Sequence, residues 1–312
     1  MENENLPKTL LEAVRFFTDL DICTQFMAAI RWPEGVTCPR CDHNETSFVK
    51  TRRLWQCKGC RKQFTIKTGS VMEDSPIGLD KWLPAIWMIV NAKNGVSSYE
   101  ISRHLGVTQK TAWFMLHRIR LAMQSRTWNK MSGDIEVDET YIGGNARFMH
   151  KDRREARIKG TGGNTKIAVM GLLERHGGEV RTRVILEPNA KTLQGEVRRH
   201  VESGSQVFTD GAGGYMGLDD EYVHQVINHA EEYVNGNVHT QGIENFWSLL
   251  KRTIKGTYVS VEPFHLFRYL DEQAFRFNKR LGNDLYRFIE TAKALTGRRL
   301  TFEELTGETT NH

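Results

Sequence analysis

The sequence predicts an α/β protein whose second half forms a mixed sheet with flanking helices, preceded by a small cysteine-rich ribbon and a helical region. Four cysteines lie in two CxxC pairs between residues 38 and 60. Two helical segments with capping residues follow, within residues 97–123. After residue 133, short alternating or apolar runs typical of strands are interleaved with helical periodicity.

The length of 312 residues allows two or three domains with a sizeable core. Apolar runs all stay well below the roughly 20 residues needed to cross a bilayer, and the opening MENENLPKTL does not resemble a secretory signal. Residues 1–133 carry 19 Lys and Arg against 12 Asp and Glu, whereas residues 134–312 carry 24 against 26. A basic first part beside an acid-rich remainder favours a DNA-binding region joined to a metal-dependent core. We expect a cytoplasmic, nucleoid-associated protein without a membrane partner.

The two CxxC pairs are CPRC, with Cys38 and Cys41, and CKGC, with Cys57 and Cys60, separated by fifteen residues. This spacing is typical of a Cys₄ zinc site in which each pair forms one knuckle of a tetrahedral thiolate shell. Two disulfides are the alternative, but they need an oxidising compartment. Because four thiolates leave no open coordination position, we expect Zn²⁺ to be structural. The fifth cysteine, Cys23, is predicted to be a buried core thiol.

Residues 97–123 predict two helices with helix-turn-helix spacing. Ser97 or Ser98 would cap a first helix that ends at Gly106, and Thr108 would cap the second. In this motif the second helix enters the major groove of DNA, where its first side chains reach base edges. Those side chains are Gln109, Lys110 and Thr111. Helical hairpins that do not bind DNA share the same pattern.

The second half predicts an RNase H-like arrangement. Strands are predicted at 134–142, 166–174, 179–186, 205–210 and 222–228, with one helix near 190–202 and another from Gly242. The order β-β-β-α-β places Asp138 on the first strand and Asp210 at the end of the fourth. The segment 147–166 carries seven basic residues and is predicted to be either a loop that follows a phosphate backbone or a merely solvated loop.

Three acidic residues predict the chemistry. Asp138 lies in DIEVDETYIGG, Asp210 closes QVFTDG, and Glu244 opens the helical GIENFWSLLKR with Lys251 on the same face. Two carboxylates at strand ends and one on a helix can converge on divalent cations. Two such cations about 3.5–4 Å apart activate the attacking oxygen and stabilise the leaving one in phosphodiester cleavage. For Glu244 the alternative is an acid placed at a helix N-terminus by the helix dipole.

Five segments follow from these patterns. They are an N-terminal helical segment at 1–33, a zinc ribbon at 34–72, a helix-turn-helix region at 73–133, an RNase H-like catalytic domain at 134–295 and a C-terminal tail at 296–312.

The motifs VDETYIGG, FTDG and GIENFWSLLKR, together with CPRC…CKGC and the stretch WQCKGCRKQFTIKTGSVMEDS, resemble those of bacterial insertion-sequence transposases of the ISXO-like group. This group has an N-terminal zinc ribbon and a DDE-type RNase H-like catalytic domain. The resemblance implies that Asp138, Asp210 and Glu244 form the catalytic triad and hold Mg²⁺, with Mn²⁺ as a substitute. Spacing alone leaves Asn245 as an alternative third residue, because Asn245 pairs with Arg252 as Glu244 pairs with Lys251.

The resemblance further implies a DNA-recombination enzyme of a mobile element. The ribbon and the helix-turn-helix would bind the terminal inverted repeats in a homodimer or larger synaptic complex, and Lys251 and Arg252 would contact DNA near the cut. Hydrolysis would free a 3′-OH, which then attacks target DNA. Two alternatives remain at this point: a DNA-binding regulator or domesticated transposase without catalysis, and a metal-dependent nuclease without strand transfer.

Overall fold

The computed structural model describes residues 6–125, 129–143, 166–210, 213–227 and 239–307. The chain divides into two compact units. Unit 1 combines residues up to Gln124 with those from Lys279 onward, and unit 2 is Ser125–Asn278. The predicted basic loop at 147–166 lies outside the described residues, apart from Lys166. Within the described ranges, every helix is too short or too polar to cross a membrane.

The helices and strands of the described residues are numbered in chain order. The helices are α1 (Leu10–Phe16), α2 (Leu20–Arg31), α3 (Leu79–Asn91), α4 (Ser98–Leu105), α5 (Gln109–Met123), α6 (Ala190–His200), α7 (Gln241–Thr253), α8 (Leu266–Asn278), α9 (Asp284–Ala294) and α10 (Phe302–Thr306). The strands are β1 (Thr46–Val49), β2 (Leu54–Cys57), β3 (Gln63–Phe64), β4 (Asp134–Ile142), β5 (Ile167–Glu174), β6 (Val180–Ile185), β7 (Gln206–Asp210) and β8 (Val223–Ile227).

In unit 1 the strands β1, β2 and β3 form a small antiparallel sheet in that order. Trp55 on β2 stacks on Phe64 of β3, with ring centroids 5.9 Å apart, and Trp32 packs edge-on against both rings. A ribbon this small buries little apolar surface, so these aromatic contacts and a bound metal are what can stabilise it.

The predicted helix-turn-helix spacing is confirmed. Ser97, rather than Ser98, caps α4 in a capping box with Glu100, and Gly106 ends the helix in the left-handed conformation. Thr108 caps α5 by accepting a hydrogen bond from the backbone of Thr111. Beyond its first turn α5 is largely buried, so this helix also forms part of the core of unit 1.

The C-terminal segment packs in unit 1, whereas the sequence analysis placed residues up to 295 in the catalytic domain. Phe288 on α9 contacts the rings of Phe17, Phe26 and Trp87. Farther along the segment, Arg298 donates to the carbonyl oxygens of Leu121 and Gln124 at the end of α5. The amphipathic pattern of α9 predicts that one face is buried, but it does not show which core that face joins. For this reason the predicted domain end at residue 295 differs from the observed division at Lys279.

Unit 2 is built on a five-stranded sheet in the order β6-β5-β4-β7-β8. The strand β4 is antiparallel to β5 and parallel to β7, and β7 is parallel to β8. One face of the sheet packs on α6 through a core that includes Val137, Met170 and Val197. The other face packs on α7 and α8 through Ile243 and Leu270, among others. The predicted strands and helices are confirmed to within two residues, and the fold is RNase H-like.

Candidate active site

Asp138 lies on β4 and its side chain faces α7. Trp247 of that helix donates a hydrogen bond from Nε1 to Asp138 Oδ2 at 2.9 Å. The strand partner of Asp138 on β5 is Gly171. A Cβ atom at Gly171 would lie 2.5 Å from the indole of Trp247. Glycine at this position therefore leaves the space in which the indole reaches the carboxylate.

The electrostatics of Asp138 place the other two acids beside it. Its pKa is raised from 3.8 to about 6, first because the carboxyl group is buried and then because of the negative charge of Asp210. The charge of Glu244 acts in the same direction, whereas the hydrogen bond from Trp247 lowers the pKa. The charges of Asp210 on β7 and Glu244 on α7 thus both act on the Asp138 carboxyl group.

The sheet register brings Asp210 to the level of Asp138. The parallel strands β4 and β7 pair Glu136 with Phe208. Asp138 and Asp210 each lie two residues beyond that pair, and since side chains alternate along a strand, both point toward the same face as Glu136 and Phe208. The sequence places Asp138 on the first strand of this sheet and Asp210 at the end of the fourth, and the sheet order makes these two strands neighbours.

Glu244 is in the first turn of α7, where it accepts a hydrogen bond from Thr240 Oγ1 at 3.0 Å. It precedes Trp247 by three residues, so it lies on the side of the helix that faces Asp138. Asn245 is turned about 100° away from that side. The position and the electrostatic effect on Asp138 therefore support Glu244 rather than Asn245 as the third acid. Lys251 and Arg252 are exposed in the last turn of the same helix.

The donor set fits a hard divalent cation, because carboxylate oxygens are the ligands that Mg²⁺ and Mn²⁺ prefer. A cation among the three acids would also relieve the mutual repulsion that raises the pKa of Asp138. The carboxylate oxygens of the three acids are farther apart than the ligands of one bound ion would be. Within the described ranges, the side chains close enough together to hold an ion are the four cysteines.

Glu139 is a half-buried acid beside the site, and no sequence motif predicted a role for it. Alternation along β4 turns it to the sheet face opposite Asp138. Its pKa is raised to about 8 by burial and by the charges of Asp210 and Asp138. Its Oε1 atom has no hydrogen-bond partner among the described residues. The signal for Glu139 in the sequence is EVDE, in which three of four residues of a predicted strand are acidic. Alternation along the strand puts Glu136 and Asp138 on one face and Glu139 on the other.

The four cysteines of the ribbon converge as the spacing predicts. The Sγ atoms of Cys38 and Cys60 are 3.7 Å apart and those of Cys41 and Cys57 are 3.6 Å apart. All four sulfur atoms lie within 4.8 Å of one another. A tetrahedron with Zn–S bonds of about 2.3 Å has edges of roughly 3.8 Å, so the group fits Zn²⁺. None of the four is in a disulfide, which argues against that alternative.

The residues predicted to open the recognition helix are partly engaged within unit 1. Gln109 Nε2 donates to Ser98 Oγ at 2.8 Å, and the hydroxyl of Thr111 lies 2.8 Å from that of Thr108. The ammonium group of Lys110 lies 4.5 Å from the centre of the Phe302 ring. Their role in reading bases stays a prediction, and Lys110 is the exposed member of the three.

Two protein-family models match this chain, one in its second half and one near its N-terminus. Residues 130–278 match the ISXO2-like transposase domain, and residues 21–63 match a transposase zinc-ribbon domain. The chain is 28% identical over 254 residues to an uncharacterized protein in transposable element ISH50 of Halobacterium salinarum, covering 77% of this chain and 84% of that protein.

A cryo-EM structure of a simian T-cell lymphotropic virus intasome, in complex with the PP2A regulatory subunit B56 gamma, was also compared with this chain. The sequence identity is 14% and the TM-score is 0.26. The alignment covers 57% of this chain and 60% of that one, which is less than two thirds of its length.

Proposed function

We propose that the chain, whose residues 130–278 match the ISXO2-like transposase domain, is a DDE-type transposase that binds the terminal inverted repeats of an insertion sequence and catalyses metal-dependent strand cleavage and strand transfer. The observation that supports the proposal is the placement of three acids from separate elements. The sheet register brings Asp138 and Asp210 to the same level and face of neighbouring strands, and the hydrogen bond from Trp247 to Asp138 turns the Glu244 side of α7 toward them.

The three acids would hold Mg²⁺, or Mn²⁺ in its place. When bound, such cations neutralise charge on the scissile phosphate, activate the attacking oxygen and stabilise the leaving one. The residues of the chain supply the geometry. Trp247 fixes the orientation of the Asp138 carboxylate through its hydrogen bond at 2.9 Å. Lys251 and Arg252, about two turns beyond Glu244 on the same helix, would bind phosphates of the DNA strand near the cut.

The proposed reaction has two steps at phosphorus. In the first, the oxygen of water attacks the phosphodiester at the end of the element, and the P–O3′ bond breaks to free a 3′-OH. In the second, that 3′ oxygen attacks a phosphodiester of the target, loses its proton and displaces the target's own 3′ oxygen. Both steps proceed without a covalent protein intermediate, so a nucleophilic side chain is not required.

Recognition of the ends is assigned to unit 1. The zinc ribbon, the turn between α4 and α5 at Gly106, and the exposed Lys110 in the first turn of α5 would contact the inverted repeats. Two ends must be brought together for coupled joining. A homodimer or larger synaptic complex is therefore part of the proposal.

Strand cleavage and joining by the purified protein tests this function. The substrate is DNA that carries the element's ends, incubated with Mg²⁺, and the variant is Asp210→Asn. The matched control is Asp220→Asn, which neutralises an exposed acid of the same unit. We expect nicked and joined products from the wild type and the control, and neither product from Asp210→Asn although it still binds the ends. Binding without cutting by the wild type, with Mn²⁺ also tried, would overturn the proposal.

A further inference from the structure

We propose that Glu136 and Arg175 are positioning residues: a buried ion pair that fixes the strands and the helix on which the three acids are carried. The inference rests on the proposed function, since it takes Asp138, Asp210 and Glu244 to be the metal-binding set. Glu136 and Arg175 act through the elements that they hold.

Glu136 joins β4 to the start of α7. Its side chain is 1% exposed and accepts a hydrogen bond from the backbone N–H of Ile243 at 2.8 Å. Ile243 immediately precedes Glu244, and Glu136 precedes Asp138 by two residues on the same face of β4. A carboxylate at a helix N-terminus satisfies a backbone donor and interacts favourably with the helix dipole. This bond therefore sets the distance between the elements that carry the first and third acids.

Close approach at this point depends on Gly242. A Cβ atom there would lie 2.9 Å from Glu136 Oε2 and 2.3 Å from a methyl carbon of Leu173 on β5. A side chain at this position would therefore force Leu173, Glu136 or the first turn of α7 to move. The glycine in the GIEN motif is thus explained by the docking of the helix on Glu136.

Arg175 extends the contact to β7. Its Nε donates to Glu136 Oε1 at 2.9 Å, and its guanidinium group lies 3.7 Å from the centre of the Phe208 ring. It also donates to the backbone oxygen of His239, just before α7. Phe208 pairs with Glu136 in the sheet and precedes Asp210 by two residues. One ion pair therefore contacts all three elements that carry the acids.

The position of the pair favours a role in the site over a role in stability alone. A buried ion pair is often no more stabilising than apolar side chains of similar volume. The Arg175 and Glu136 side chains are 12% and 1% exposed. Glu136 and Phe208, the ring that Arg175 covers, each precede an acid of the set by two residues on their strand. Residues that hold metal ligands in place typically change metal affinity or activity by about 10–100-fold when they are replaced.

The test uses the full-length protein and the variant Glu136→Gln, which removes the charge and keeps an acceptor for the N–H of Ile243. The matched control is Glu179→Gln, which breaks the ion pair between Glu179 and Arg181 in the hairpin that joins β5 to β6, where Nε and Oε1 are 3.2 Å apart. Two quantities are measured: Mn²⁺ binding by titration calorimetry and the Mg²⁺ concentration that gives half-maximal cleavage.

We expect Glu136→Gln to weaken Mn²⁺ binding and to raise the half-maximal Mg²⁺ concentration by about 10–100-fold. Its affinity for end DNA should match that of the wild type, and Glu179→Gln should match the wild type in every measurement. Metal affinity that is unchanged in a folded Glu136→Gln protein would overturn the inference. If this variant does not fold, Arg175→Lys decides by the same measurements, because lysine keeps the charge but cannot both reach Glu136 and cover Phe208.

Failure of the proposed function gives a different result. A wild type that binds Mn²⁺ through Asp138 but cuts no DNA would overturn the strand chemistry. Weaker Mn²⁺ binding in Glu136→Gln would still support the positioning role in that case.

Discussion

Replacement of Asp138 by Asn should stabilise the metal-free protein at pH 8 while it abolishes cleavage. In the folded protein the Asp138 carboxyl group is largely buried and lies near the charges of Asp210 and Glu244. Both effects disfavour its ionised form. Asparagine has nearly the same shape, carries no charge and keeps an oxygen that accepts the hydrogen bond from Trp247. Such a gain in stability at the expense of activity is expected where a site is arranged for binding a ligand rather than for stability.

The magnitude follows from the pKa values. The pKa of Asp138 is about 6 in the folded protein against 3.8 ordinarily. At 1.36 kcal/mol per pKa unit the difference corresponds to about 3 kcal/mol. Because the folded pKa is raised, the protonated carboxyl contributes stability that is fully present below about pH 4 and is lost as the pH rises through about 6. The advantage of Asp138→Asn should therefore grow by about 2.5 kcal/mol between pH 4 and pH 8.

Hydrogen exchange followed by mass spectrometry measures this difference in stability within unit 2. Peptides from β4 and α7 report the opening free energy of the catalytic sheet without interference from unit 1. The samples contain zinc but no added Mg²⁺ or Mn²⁺. The control is Asp220→Asn, an exposed position at which the change should stay within about 0.5 kcal/mol.

Two results would refute the reasoning. The first is equal protection of the wild type and Asp138→Asn at pH 8. The second is an advantage of the variant that is the same at pH 4 and pH 8. Either would show that the charge of Asp138 is not disfavoured by its surroundings, and the convergence of the acids would lose its main support.

Three further predictions concern the ribbon and the support of Asp138. Cys57→Ser should reduce bound zinc below one ion per chain in elemental analysis, with exchange protection lost in the ribbon and retained in unit 2. Gly171→Ala should lower the free energy of unfolding by about 1–3 kcal/mol in urea denaturation, because the new methyl group meets the Trp247 indole. The control Gly195→Ala, in open space on α6, should raise it by up to about 1 kcal/mol. Trp247→Phe should raise the pKa of Asp138 further and move the acid limb of the cleavage rate to higher pH; an unmoved limb would contradict the hydrogen bond's role.

Much of the fold was predictable because its signals are local. Alternation and apolar runs gave the five strands of unit 2, and hydroxyl residues before helical periodicity gave the starts of α4 and α5. The choice between Ser97 and Ser98 was also open to sequence reasoning, because Glu100 lies three residues after Ser97 and completes a capping box.

The parts that escaped prediction depend on contacts between distant segments. Arg175 ends beside Glu136 because of the β4–β5 pairing and the docking of α7, and neither is visible in the local pattern. The same applies to α9, whose apolar face could have served either unit. Glu244 is predicted from the sequence, where spacing alone leaves Asn245 open, and the contact between Trp247 and Asp138 adds support for Glu244 because it indicates the rotation of α7.

Anomalous diffraction from crystals soaked in Mn²⁺ tests the central claim most directly, because it locates the metal independently of activity. The account predicts Mn²⁺ bound by carboxylate oxygens of Asp138, Asp210 and Glu244. Crystals of Asp210→Asn should show that density weakened or lost. Mn²⁺ held by Glu139 without the three acids, or no Mn²⁺ between β4, β7 and α7 at saturating concentration, would contradict it.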